Sequence, residues 1–452
     1  MKIIVIGAGT VGLPICAELA AEGHDLTVVD TDAQVLGELS NVADVFAVQG
    51  NGAEVSVLRR AGAAHADLLI ALTAGDEVNI LCCAVAHKLG TRHTVARVRN
   101  PEYGELMQLM RDDMNLSLTI NPELSVAKEI HRMLRLPAAA KIDTFCHGRV
   151  ELAEFVVPEG SPLAGLTLTE LRTRIPVSFL VCGVLRNGET HIPTGDFSLA
   201  VGDMLCVTAS EQDIAAFFKA VGMHRHPVKS VLVAGGGRIT YYLAQLLEGG
   251  RIPTTILEAE KERCLLLAEK TKCTVICDAC TSQEALAREG LERVDAFLAL
   301  SDIDEENAIV SLYAKTLSVP KIVTLIRRLS YIDFFKSAGL ESIVSPKSAT
   351  VSEILRYVRA LAPAQDSEIE TLYKLMDGSV EALEFLVKEE VAGLTGIPLR
   401  DVDTVRGVLV ACIVREGAVI IPSGADVILP GDTVVVVTSA ESRMDNIGDL
   451  IK

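Results

Sequence analysis

Three short stretches in the first hundred residues carry the residue types that hold a phosphorylated ligand. Gly7-Ala8-Gly9-Thr10-Val11-Gly12 follows an apolar run with the pattern of a strand and opens a run with the pattern of a helix. In that frame Gly7 permits the tight turn, Gly9 lets the backbone approach a pyrophosphate, and Gly12 allows close helix–strand packing. The helix N-terminus offers unpaired N–H groups and a positive dipole end. Pro14 is tolerated there, because first-turn N–H groups lack helical partners anyway.

Asp30 ends the next predicted strand, at the spacing expected for an acid that accepts hydrogen bonds from both ribose hydroxyls. It would repel a 2′-phosphate, and no arginine lies beside it, so NAD(H) is favoured over NADP(H). Gly50, Asn51 and Gly52 end a third predicted strand. There the small residues leave space for an adenine and Asn51 can hydrogen-bond it; a plain turn is the alternative. Arg97, in VARVRN after a later strand, can reach phosphates or stand as an ordinary surface arginine. Thr73, in ALTAGDEVN, completes the candidate set.

The elements that position these residues are duplicated. At a shift of about 228 residues IIVIGAGTVG falls on VLVAGGGRIT, and ADLLIALTAGDEVN falls on VDAFLALSDIDEEN. Asp30 then meets Glu258, Asp76 meets Asp304, Asn79 meets Asn307 and Arg99 meets Arg327. Past this part, RNGETHIPTGDFSLAVGD matches REGAVIIPSGADVILPGD after one inserted residue. Each half thus has an alternating strand–helix part, the pattern of a parallel α/β sheet. A shorter part with alternating runs broken by N-G, P-T-G and G-D follows, which reads as hairpins. Two helix-like stretches, SVAKEIHRMLR and ATVSEILRYVR, close the alternating parts and each presents an apolar stripe. That stripe packs on its own domain or serves as a crossover or dimer helix.

The second copy keeps the frame and loses parts. Thr240 stands for the third glycine, Asp278-Ala279-Cys280 for the second glycine loop, and Leu325 for Arg97. Glu258 survives and can still hold a ribose. The inference is a strong site in the first half and a weak or absent one in the second.

Bulk properties bound the class. A prior of about 150 residues per domain gives three or four domains for 452 residues. No apolar run approaches the ~18 residues that span a bilayer, and the N-terminus lacks the pattern of a signal peptide, so a soluble cytosolic protein is expected. The formal charge of −18 argues against a nucleic-acid partner. The 11 cysteines follow no secreted framework. Cys277 and Cys280 form a C-x-x-C without a second pair to complete a zinc site, and read as packing residues. His224 and His226 read as a polar linker.

A dehydrogenase needs a general acid or base and a substrate pocket besides a cofactor site. No Tyr-x-x-x-Lys pair, no Gly-x-x-x-x-Gly-Lys loop and no repeated histidine constellation is present. With IIVIGAGTVG, VVDTD, VQGNGAEVSVL, ALTAGDEVNI, ARVRNPEY, GLTLTELR and IPTGDFSLAVGD in series, the chain resembles the tandem RCK (KTN) family of Trk-type potassium-uptake regulators. The resemblance covers nearly the whole chain. It implies two Rossmann-like parallel-sheet RCK N-type domains, each followed by a small α+β RCK C-type domain, over residues 1–136, 140–222, 229–361 and 366–452.

It also implies a non-enzymatic, cytoplasmic subunit, peripheral at the inner face of the membrane. The implied partner is a TrkH- or TrkG-like potassium-translocating subunit, and the implied assembly is a homotetramer. The implied ligands are NAD(H), with ATP and ADP as regulatory ligands. On that resemblance the binding glycines are Gly7, Gly9, Gly12, Gly50 and Gly52, the ribose acid is Asp30, and the basic contact is Arg97. A soluble NAD-dependent oxidoreductase is the rival class. A third reading gives the β modules another small ligand, such as a cyclic dinucleotide or an ion.

Overall fold

In a computed structural model, residues 1–104, 116–146, 149–223, 228–250, 252–361, 369–376, 379–439, 444 and 446–451 are described. His224 and His226 lie outside them, as does most of the joint at 362–368. The chain divides into two compact units: residues 1–127 with 327–329 and 345–355, and the remainder.

The first unit is built on six strands: β1 (Lys2–Ile6), β2 (Asp25–Asp30), β3 (Phe46–Gln49), β4 (Leu68–Ala71), β5 (His93–Arg97) and β6 (Leu118–Ile120). All run parallel, in the order β3-β2-β1-β4-β5-β6. Helices α1 (Gly12–Ala21), α2 (Ala33–Ser40), α3 (Val55–Arg60), α4 (Asp76–Leu89) and α5 (Pro122–Arg135) connect and follow them. Strands covered on both faces must be apolar almost throughout. Accordingly β4 is buried along its whole length and β1 at every residue but Lys2. Helix α1 buries Gly12, Ile15, Cys16 and Leu19, a stripe at helical spacing. The chain reverses its direction of growth between β1 and β4, and the crevice beyond the strand ends opens at such a reversal.

The second unit holds three sheets. β7 (Lys141–Phe145), β8 (Val150–Val156), β9 (Phe179–Arg186), β10 (Glu189–His191) and β11 (Met204–Ser210) form an antiparallel sheet, with α6 (Leu168–Arg174) and α7 (Glu211–Ala220). The second parallel sheet comprises β12 (Val231–Ala234), β13 (Thr254–Glu258), β14 (Thr274–Cys277), β15 (Ala296–Ala299), β16 (Lys321–Leu325) and β17 (Ile343–Val344). Its order, β14-β13-β12-β15-β16-β17, repeats that of the first. Its helices are α8 (Arg238–Gly250), α9 (Lys261–Lys270), α10 (Gln283–Arg288), α11 (Asp304–Thr316), α12 (Ile332–Ser337) and α13 (Pro346–Leu361). β18 (Ile369–Leu375), β19 (Val380–Leu386), β20 (Val408–Arg415), β21 (Ala418–Ile420) and β22 (Thr433–Ser439) form the last, antiparallel sheet.

The fold class is therefore as expected: two Rossmann-like parallel sheets, each followed by a small antiparallel β domain. Both G-D turns in the small domains have one job. Gly202 and Gly431 take positive φ of 86° and 93°, and the following aspartates, Asp203 and Asp432, are 1% exposed. Each carboxylate receives Nε and Nη2 of one arginine, Arg186 or Arg415, at 2.7–2.8 Å. Asp203 also accepts the N–H of Ala200, and Asp432 that of Leu429.

The two small domains share a core. Phe145, Val150 and Leu152 of one pack with Leu375, Val380, Ala382 and Val437 of the other. Glu154, on β8, accepts the backbone N–H of Met376 across it at 2.9 Å. Nearby, the buried ammonium of Lys321 donates to the Ala139 carbonyl at 2.6 Å and to Ser342 Oγ at 2.8 Å. That links the connection after α5 to the second parallel sheet. The first part of α13 groups with the first unit, where Ser125 of α5 donates to Glu353, its own counterpart in the duplication, at 3.0 Å.

Candidate functional site

At the β1–β4 reversal lies a cleft of about 510 Å³. Gly7, Gly9, Thr10, Val11, Asp30, Gly50, Asn51, Gly52, Thr73 and Arg97 line it, joined by Val29, Thr31, Gly75 and Val78. Its size suits a nucleotide-sized ligand.

Each glycine of the first loop has a distinct geometric reason. Gly7 has φ of +96°, and a Cβ there would stand 3.1 Å from the Leu72 carbonyl carbon and the Thr73 nitrogen. A Cβ on Gly12 would collide with the Gly7 carbonyl oxygen. Gly9 differs: a Cβ there would meet nothing within 4 Å. Its bareness answers no neighbour in the chain and leaves the loop open on the cleft side. Helix α1 begins behind this loop with no side-chain cap on its N-terminus. In its first turn the Leu13 N–H donates to the Gly9 carbonyl at 3.0 Å and Pro14 carries no N–H, so what this helix start offers an anion is chiefly its positive dipole end.

Asp30 stands at the end of β2, half-buried. Its Oδ2 accepts the Ala8 N–H at 2.7 Å and its Oδ1 the Asp32 N–H at 3.0 Å. Two backbone donors thus fix the carboxylate at the cleft wall, and each oxygen keeps a lone pair for a hydroxyl. Ala8 and Gly12 do not line the cleft; they shape the loop from behind.

The second glycine loop lines the cleft, and its glycines are also pressed from behind. A Cβ on Gly50 would run into Val57 Cγ2, and one on Gly52 into Ile6 Cγ2. Both are small because α3 and β1 press against them. Asn51 is exposed on the cleft rim, and its Oδ1 accepts the Ala53 N–H at 3.0 Å. The loop is a packed Asx turn before it is a base pocket.

Arg97 closes the opposite side. Its Nη2 donates to the Thr73 carbonyl at 2.6 Å, while its buried Nε has no partner among the described residues. Burial lowers its pKa, helped by Arg99, with Glu123 and Asp76 opposing. An unmatched guanidinium donor beside a cleft is a built invitation to an anion.

Residues that the sequence reading left without a role hold this wall. Asn79 is fully buried at the first turns of α4. Its Oδ1 takes Thr73 N–H at 2.8 Å and Thr73 Oγ1 at 2.7 Å, and its Nδ2 donates to the carbonyls of Thr73 and Arg97. Asp76 accepts the N–H groups of Arg99 and Asn100. The second copy repeats the arrangement, with Asn307 bonded to Ser301 and Leu325. Their coincidence under the 228-residue shift was the signal that could have found them.

The second frame is otherwise filled by its own side chains. Glu258 is 6% exposed; its Oε2 accepts the Gly236 N–H at 2.6 Å and its Oε1 the Glu260 N–H at 2.7 Å. It makes the same loop contact as Asp30, but from a buried position in its own sheet. Thr240 fits where Gly12 was obligatory because its Oγ1 donates to the Gly235 carbonyl at 2.6 Å. Asp278 pairs with Arg288 and Leu325 is wholly buried. Cys280 packs against the apolar core below, and no group of three His, Cys, Asp or Glu side chains among the described residues is placed to hold a metal.

The fold and this loop architecture define a duplicated Rossmann-type protein with paired small β domains. Comparison with known proteins narrows the class. The TrkA-N domain family matches residues 3–117 and 231–346, and the TrkA-C domain family matches 152–222 and 383–446. A Trk system potassium uptake protein TrkA from Halomonas elongata is 33% identical over 458 aligned positions, covering 100% of this chain and 99% of that one. The chain belongs to the TrkA family. Its relatives carry the names of uptake-system proteins, not of enzymes. In fold it is similar to the crystal structure of the GsuK RCK domain (TM-score 0.63, 19% identity, 97% of this chain and 92% of that one). A GsuK channel bound to NAD gives the same TM-score over 97% of this chain and 77% of that one. No helix among the described residues is long and apolar enough to cross a membrane.

Proposed function

We propose that this chain is the nucleotide-sensing regulatory subunit of a Trk-type potassium uptake system. In this reading NAD(H) or an adenine nucleotide, ATP or ADP, binds the first-half cleft and biases a TrkH- or TrkG-like membrane subunit. The observation that carries it is a pair of features on one cleft: the bare Gly9 loop over a helix start with no side-chain cap, and Arg97, which lines the same cleft and whose buried Nε has no partner among the described residues. The bound NAD named for the similarly folded GsuK channel supports the ligand class.

The residues present fit such a ligand. The loop 7–12 and the start of α1 would receive phosphates, Arg97 would add a charged donor, and Asp30 would take ribose hydroxyls. The rim at Asn51 is left for the base. Glu258 offers at most a vestigial ribose contact, its oxygens being held by its own loop. The protein acts from the cytoplasmic face as a homotetramer, peripheral to the membrane through its partner.

Regulation then follows from linkage. A ligand shifts the partner only by the difference in its affinity for two arrangements of the domains, and couplings of ~1–3 kcal/mol change affinity about 5- to 150-fold. Arg97 is tied through Thr73 and Asn79 to the β4 and β5 ends, so a phosphate that draws on Arg97 pulls on both strands.

Titration calorimetry of the whole protein with NADH, NAD, ATP and ADP tests this, with Asp30→Ala and Glu258→Ala beside the wild type. Binding lost in Asp30→Ala and kept in Glu258→Ala is expected. Equal loss in both variants would overturn the assignment to the first copy. No binding, or steady NADH turnover, would sink the sensor.

A further inference from the structure

We propose that Cys264 and Cys277 form a peroxide-responsive dithiol that closes to a disulfide in the second Rossmann domain. Cys264 lies in the first turns of α9, and Cys277 ends β14, the strand on which α9 packs. The two thiols converge on successive carbonyls of one chain segment. Cys264 Sγ donates to Glu258 O at 3.2 Å and Cys277 Sγ to Ala259 O at 3.9 Å. The β13–β14 register sets Cys277 directly opposite Glu258, whose own carbonyl receives the Cys264 thiol, so both thiols lie against the same two-residue segment.

The duplication supplies the internal control. At the same shift the first copy has Leu36 and Gln49 in these places. The thiol pair therefore exists only in the copy whose ligand frame is filled in, and it borders the acid that staples that frame. Exposure is asymmetric in the way a peroxide-reactive pair needs. Cys277 is exposed and meets the oxidant, whereas Cys264 is 7% exposed and shielded from it. Burial pushes the Cys264 thiol up to about 11, with the neighbouring Cys277 adding to it, so Cys264 enters as the resolving thiol.

The oxidant is a hydroperoxide. The Cys277 thiolate attacks the peroxide oxygen, the O–O bond breaks, and the leaving oxygen departs as water or an alcohol. Cys277 is then a sulfenic acid, oxidised by the two electrons that the peroxide has gained. The Cys264 sulfur attacks the Cys277 sulfur, the S–O bond breaks, and hydroxide leaves with the Cys264 proton as water. The sum is two thiols and one peroxide to one disulfide, one water, and one water or alcohol. Closure removes both S–H donors from the carbonyls of Glu258 and Ala259 and ties α9 to β14.

The test uses the full chain, reduced, freed of reductant, exposed to hydrogen peroxide, alkylated and digested with trypsin. Peptide Cys264–Lys270 should appear linked to peptide Cys273–Arg288, with fragmentation placing the bond at Cys277. The linked species should rise about ten-fold over the reduced control and vanish with dithiothreitol. In Cys277→Ser the link should be lost and Cys264 alkylated in full. In Cys264→Ser, Cys277 should run on to sulfinic acid. Full alkylation of Cys264 after Cys277 has been consumed in the wild type would overturn the proposal, as would a bond placed at Cys273 or Cys280.

Discussion

At the scale of single residues, the cleft separates groups that shape from groups left open. Gly7 and Gly12 are dictated by neighbouring backbone, and Asp30 is held by two N–H donors, so none of these can move to meet a ligand. Arg97, which lines the cleft, has a buried donor with no partner among the described residues. Arg97→Ala should weaken binding of ATP or ADP by about ten-fold, the worth of a charge-assisted hydrogen bond, while changing the melting temperature little. Calorimetry and thermal unfolding on the same preparation check this; unchanged affinity would take Arg97 out of the site. Much of this was legible in the sequence, because glycine spacing and an acid after the second strand report backbone geometry directly. What was not legible was why Gly50 and Gly52 are small. Their neighbours, Val57 and Ile6, are brought there by the fold, and a turn glycine looks the same whether it yields room to a base or to a side chain.

At the scale of elements, α5 carries a charge problem that the apolar stripe concealed. Glu129 is half-buried on that helix, facing Lys141 and Asp143 of β7 and Glu154 of β8, with Arg132 on its own helix. Burial raises its pKa to about 7; Lys141 opposes the shift, Asp143 adds to it, Arg132 opposes it and Glu154 adds to it. A raised carboxyl binds its proton more tightly folded than unfolded. Stability is then greatest below the unfolded value of about 4.3 and falls as pH rises through about 7. Glu129→Gln should remove that slope and stabilise the protein at pH 8 by about 1–2 kcal/mol, the remainder being screened by solvent. Urea unfolding at pH 5 and pH 8 checks it: a variant as pH-dependent as the wild type would refute the assignment. The sequence showed the helix and its stripe. It could not show that a lysine and two acids from a separate sheet would close over one of its carboxylates.

At the scale of the whole molecule, the duplication was plain in sequence, but the way the copies join was not. β8 reads VELAEFV, a run that alternation would leave half in solvent. In the structure Glu151 and Glu154 are 2% and 6% exposed, because one face of that sheet meets its own helices and the other meets the second small domain. A pairing between segments some 230 residues apart leaves no local trace. It has a thermodynamic consequence, since two domains that share one core cannot unfold separately without exposing it. Phe145 is the place to test this: it is fully buried, in that core, with its ring centroid 4.0 Å from that of Tyr373 in the other domain. Phe145→Ala should cost about 3–5 kcal/mol. Hydrogen exchange should then show protection falling together in the strands of residues 150–210 and 380–439, while the strands of the first unit keep theirs. Loss confined to residues 150–210 would mean that the small domains fold independently. A joint loss would make them one cooperative body, so that a change felt by either copy is imposed on both.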